Sequence, residues 1–154
     1  KVIIVNQSKI FAKYITSRDV QFLIKKISDY FLKKRIKNKS FLMEKKELTI
    51  VYLSVKEMQK INKQFRNKNK PTDILSFESH DPRSLGELLL CFEVLKKQAQ
   101  NQKHSIKCEM AYMLIHGILH LLGYDHELSM KDEKLMFRLQ DTCFEELGIY
   151  NIFK

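Results

Sequence analysis

The stretch Met110–Leu122 carries two strongly polar side chains, His116 and His120, in an otherwise apolar run, and it constrains the fold more than any other part of the chain. A helix that is hydrophobic nearly all round cannot lie on a surface, so other elements must cover it on most sides. The 154 residues, 44% hydrophobic and 30% charged, suffice for one packed domain spanning 1–154. A chain of this size buries roughly 70% of its unfolded surface on folding. No apolar stretch reaches the roughly 18 residues of a membrane span. No leader pattern is visible, since Lys1 runs straight into Val2-Ile3-Ile4-Val5. Cys91, Cys108 and Cys143 form no CxxC pair and sit beside apolar neighbours, which excludes a disulfide scaffold and points to a reducing, cytoplasmic setting.

The elements around that helix follow from periodicity and caps. Val2–Val5 reads as a short buried strand and Glu47–Leu53 as a β-rich run. Ile74–Glu78 and Leu85–Phe92 are two further strands joined by an Asp81-Pro82 turn. Ser17 caps a helix to about Lys34, with Val20, Ile24, Ile27 and Phe31 at helical spacing. Ser54 and Glu57 form a capping box that opens a helix to about Phe65, and Glu93–Asn101 is short and amphipathic. Ser105 caps the apolar helix, which should stop at Gly123 because a left-handed terminal residue suits glycine. Ser129 caps a last helix with Leu135, Leu139, Cys143 and Leu147 inward, ending at Gly148. The sum is an α+β layered domain: a mixed sheet of about four strands, about five helices, and a central apolar helix bearing two histidines.

His116 and His120 lie one helical turn apart on one face, so their imidazoles can converge on one ion. Gly123 turns the chain and His126 follows three residues later, close enough to return as a third ligand. Three nitrogen donors leave a fourth tetrahedral position open, as in catalytic zinc sites. A single histidine in such a helix would read as a hydrogen-bonded core residue, but three without a shared partner would cost about 1–3 kcal/mol each. The spacing matches the peptidase pattern H-E-x-x-H-x-x-G-x-x-H, except that Gly117 stands where the general-base glutamate would be. Peptide hydrolysis by the usual route therefore lacks its base.

Charge adds a partner. Lys and Arg number 28 against 18 acidic residues, for a net charge of +10. Residues 1–70 carry 19 basic and 5 acidic residues, and residues 71–154 carry 9 and 13. A polyanion such as RNA suits a surface of that sign, although lysines on solvated helix faces give the same count. Arg66 opens a polar loop with Lys68 and Lys70, and a guanidinium can hold a phosphate by two parallel hydrogen bonds; on its own it also reads as an ordinary surface arginine. Asp125 can orient a ligand histidine or cap the turn. Tyr112, Tyr124, the cysteines and Met110, Met113 and Met136 read as packing residues, with Cys108 too far along the helix to complete the coordination sphere. His80 and His104 read as solvated loop residues.

Over roughly residues 47–150 the chain resembles the YbeY family of bacterial metal-dependent endoribonucleases involved in ribosomal RNA maturation. The resemblance is strongest in His116-Gly-Ile-Leu-His120-Leu-Leu-Gly123-Tyr-Asp-His126. Phe65-Arg66 with Pro71-Thr72-Asp73-Ile74-Leu75-Ser76-Phe77 is similar to the family's second signature, and Leu85-Gly86-Glu87 with Cys91 to its third. The family usually has aspartate where this chain has Glu87 and proline where it has Phe92. The resemblance implies one zinc ion per chain on His116, His120 and His126, with nickel also suited to imidazole, and a functional arginine at Arg66.

The residues and the resemblance together point to a hydrolase of phosphodiester bonds in single-stranded RNA, with no membrane or DNA partner expected. The resemblance implies ribosomal RNA, at the 16S 3′ end, as its substrate and the ribosome as its partner. The basic surface would hold the flanking strand. Two other readings stand beside it: a metallopeptidase with an unrecognised base, and a non-catalytic RNA-binding ribosome-assembly factor whose ion only braces the helix.

Overall fold

The structure, a computed structural model, describes residues 1–44 and 46–153. Its four strands are β1 (Val2–Val5), β2 (Glu47–Leu53), β3 (Ile74–Phe77) and β4 (Ser84–Cys91). They form one mixed sheet in the order β1-β2-β4-β3. β1 runs parallel to β2 and β2 parallel to β4, while β3 and β4 pair antiparallel across the Asp81-Pro82 turn. That turn is held by the backbone and side chain of Asp81, which accept from Ser84 N and Arg83 N. β1, read from the sequence as a buried strand, is an edge strand among the described residues, with Val2, Ile3 and Ile4 half-buried and Val5 exposed.

Among the described residues five longer helices match the sequence expectation: α2 (Ser17–Leu32), α4 (Val55–Arg66), α5 (Phe92–Gln102), α6 (Ile106–Leu121) and α7 (Met130–Glu146). Three four-residue segments, α1 (Lys9–Ala12), α3 (Ser40–Met43) and α8 (Ile149–Ile152), accompany them. A single turn is too short to establish a 3.6-residue pattern, so none of the three stood out in the sequence. The caps of α4, α6 and α7 fall on Ser54, Ser105 and Ser129 as expected. α2 differs: Thr16 caps it in a reciprocal box with Asp19, and Ser17 instead donates to Gln7 Oε1 at 2.7 Å.

β4 lies between two cores. Leu88 and Leu90 face the main core, with Leu48, Ile50 and Tyr52 of β2 and the inner faces of α2, α5, α6 and α7. Leu89 and Cys91 face a smaller second core, with Leu53, Leu75 and Met58 of α4. Burial on both sides explains why Leu88–Cys91 is a continuous apolar run rather than an alternating one. α6 sits at the centre of the main core, packed on α5, α7, β3 and β4. No helix among the described residues is long and apolar enough to cross a membrane.

Gly117 sets how closely α6 approaches the sheet. A Cβ there would lie 2.7 Å from Leu88 Cδ2 and 2.8 Å from Ile74 Cδ1. The position after the first histidine of the pair thus points into the sheet, and any side chain on it competes with the packing of β3 and β4.

Candidate metal centre

α6 is amphipathic only in a narrow sense: buried residues surround it, and His116 and His120 open onto one partly exposed strip. Gly123 ends the helix with φ +97°, a backbone angle that a side chain disfavours, and Tyr124 N returns to Leu119 O at 3.0 Å. The buried Tyr124 ring anchors the turn from below, its hydroxyl accepting from Lys37 N at 3.0 Å. His126 is thereby carried back over the end of the helix. One ligand atom from each of His116, His120 and His126 lies within 4.8 Å of the others.

Two nitrogens of this cluster already face each other, His116 Nε2 and His120 Nε2 at 3.1 Å. Tetrahedral zinc with bonds of about 2.0–2.1 Å asks for about 3.3 Å between ligand nitrogens. The Nδ1 of His126 is buried with no hydrogen-bond partner. Burial lowers His116 below the ordinary imidazole value, against the opposing pull of its hydrogen bond to Gln140. Burial, then the neighbouring His116 and His126, push His120 down to about 4. Neutral imidazoles with free lone pairs are the form in which histidine binds metal, so the donor set fits a divalent cation.

Gln140, on the facing helix α7, is 1% exposed and was not singled out from the sequence. Its Nε2 donates to Tyr112 O at 3.1 Å, which leaves Oε1 turned towards His116 Nδ1 at 2.9 Å. His116 therefore donates from Nδ1, and its Nε2 lone pair faces the cluster. An amide in an amphipathic helix looks solvent-facing in sequence. The inward face of α7 is Met136, Gln140, Cys143 and Phe144, with Leu135, Leu139 and Leu147 only partly buried, one position away from the expected stripe.

Arg66, the last residue of α4, opens onto the same cavity of about 620 Å³ as the three histidines. Its guanidinium is paired with the carboxylate of Glu127, and Lys68 Nζ lies 3.9 Å from the same oxygen. Asp125 resolves to the turn: its Oδ1 accepts from Glu127 N at 2.8 Å. His80 is exposed as expected. His104 is not solvated; its Nε2 meets Glu109 Oε2 at 2.5 Å in a nearly buried pair. All three cysteines are free and buried. Burial pushes the Cys143 thiol up to about 12, in keeping with a packing role.

The family model described as Endoribonuclease YbeY matches residues 4–148. A Bdellovibrio bacteriovorus protein named Endoribonuclease YbeY is 47% identical over 149 residues, covering 96% of this chain and 95% of that protein. A Staphylococcus aureus protein of the same name is 36% identical over 125 residues, covering 73% and 80%. The solution structure of a Thermotoga maritima protein superposes with a TM-score of 0.60 at 27% identity, covering 96% of this chain and 89% of that one. On sequence along almost its whole length, and with a fold to match, the chain belongs to the YbeY endoribonuclease family.

Proposed function

We propose that the chain is a single hydrolase domain spanning 1–154 that cleaves single-stranded RNA with the help of one divalent ion, zinc in the first instance, held by His116, His120 and His126. The substrate would be ribosomal RNA, at the 3′ end of the 16S species, and the setting the cytoplasm. The observation that carries this reading is the convergence of three imidazoles and an arginine on one cavity in a chain of this family. Three nitrogen ligands with an open fourth position suit zinc, and nickel also accepts imidazole. The ion would supply Lewis acidity towards a phosphoryl oxygen.

The chain's own residues do the rest. Gln140 holds His116 in the tautomer whose Nε2 lone pair faces the cluster. Arg66 would take two phosphoryl oxygens by parallel N–H donors and neutralise charge as it builds there. Glu127, which now occupies that guanidinium, would give way to the incoming phosphate. Lys68 would add a second cation at the rim.

Elemental analysis of the purified protein, together with cleavage of a single-stranded RNA with and without chelator, tests the reading. One zinc per chain and chelator-sensitive cleavage are expected. Cleavage that survives complete removal of metal would overturn it. A second reading, a non-catalytic RNA-binding assembly factor, draws on the way the His116–Gln140–Tyr112 chain ties α6 to α7. It predicts that chelation lowers the melting temperature while RNA affinity survives and no cleavage occurs. A peptidase of the H-E-x-x-H kind is disfavoured, because position 117 carries no acid and points into the sheet.

A further inference from the structure

Phe65 is 60% exposed, although it is a large apolar ring one residue from Arg66 on the last turn of α4. It lines the same cavity as the three histidines. Its one aromatic neighbour among the described residues is Phe77 of β3, in a T-shaped contact with centroids 5.1 Å apart. Such a contact engages at most one face of Phe65, and the residue as a whole keeps most of its surface open. The open ring stands among cations: Arg66 and Lys68 share the cavity, and Lys63 and Lys70 flank it along the chain.

We propose that Phe65 is the platform on which one unpaired nucleobase of the RNA stacks while Arg66 takes a neighbouring phosphate. An exposed aromatic ring beside phosphate-binding cations is the arrangement by which proteins grip single strands, because every base offers a π-face and a paired base does not leave its stack. This inference rests on the endoribonuclease reading and deepens it: the preference for a single strand would reside in Phe65. A protein partner with an apolar anchor is the other occupant such a ring could serve. Its position inside the cavity, one residue from Arg66, favours the base.

The test uses the zinc-loaded protein and a short single-stranded oligoribonucleotide in which 2-aminopurine replaces one base at a time. Wild type should quench the fluorescence strongly at one position. Phe65→Leu keeps an apolar contact with Phe77 but removes the π-face, and should relieve that quench and weaken binding roughly 5- to 100-fold. Phe65→Tyr should restore both. Removing the quenched base altogether should weaken wild type to the level of Phe65→Leu, with no further loss in the variant. The salt dependence of binding should stay unchanged in Phe65→Leu, since no phosphate contact is lost. Cleavage and binding by wild type that respond to none of these changes overturn the stacking role and leave the nuclease intact. Equal weakening by Phe65→Leu on every oligonucleotide, abasic ones included, overturns it too, since that marks a structural effect or another partner. Failure of wild type to bind the oligonucleotide at all removes both readings.

Discussion

His116 and His120 project from α6, which buries residues along most of its length, whereas Arg66 and Phe65 ride the last turn of α4, which buries only Met58 and Asn62. The two walls of the cavity are thus held by different forces. On the histidine wall, sheet packing fixes the helix, Gly123 fixes the turn, and Gln140 fixes the ring of His116. On the arginine wall, what sets the guanidinium is a half-exposed ion pair with Glu127. Exposed ion pairs of this kind contribute about 0–1 kcal/mol, so exchanging the carboxylate for a phosphate costs little. A rigid wall suits a metal, whose ligands must stay within tenths of an ångström; a yielding one suits a strand that has to enter and leave.

That contrast can be broken most forcefully on the histidine side. His120→Ala should abolish stoichiometric zinc, read by elemental analysis, and lower RNA cleavage by about 10³-fold. Full activity in the metal-free variant would remove the ion from the chemistry. Arg66→Ala should lower kcat/KM by about 10²-fold with zinc content unchanged, the split expected if the walls act separately. Loss of zinc in that variant would show that they do not. Gln140→Leu should weaken zinc about 10- to 100-fold in competition with a chromophoric chelator. An unaltered affinity in Gln140→Leu would mean that packing alone orients His116.

Two smaller effects sharpen the comparison. The native chain holds His120 at about 4, below its ordinary 6.5, so the unfolded chain binds that proton at higher pH than the folded one. The metal-free protein should therefore keep its full stability above about pH 6.5 and lose it progressively as the pH falls towards 4. Melting curves of chelated protein across that range should show this fall, and His120→Ala should flatten it. Gly117→Ala should cost about 1 kcal/mol in chemical denaturation, the overpacking against Leu88 and Ile74 outweighing the gain in helix propensity. Its zinc content should not change, because the added methyl points into the sheet.

The parts of the molecule legible in the sequence are those written in local chemistry. The caps Ser54, Ser105 and Ser129, the Gly123 stop, the β3–β4 turn and the histidine spacing each depend on residues a few positions apart, and the structure shows each where the spacing placed it. What stayed hidden depends on contacts between distant segments. Gln140 meets His116 across 24 positions, and Glu127 meets Arg66 across 61. His104 is the exception: its partner Glu109 is only five positions on, and what stayed hidden is that the surrounding fold nearly buries the pair. Gly117 was legible as a missing base but not as a packing residue, since only the sheet reveals what a side chain there would strike.

The modest size of the second core bears on how the molecule breathes. α4 is secured to the sheet through Met58 and Ile61 against Leu53, Leu75, Leu89 and Cys91, while the remaining long helices share the larger cluster on the opposite face. Sub-global opening follows the weakest seam, so the amides of α4 should exchange with solvent ahead of those of α6. Lifting that one helix would move Phe65 and Arg66 together, while the three imidazoles, carried by α6 and the turn after it, would keep their places.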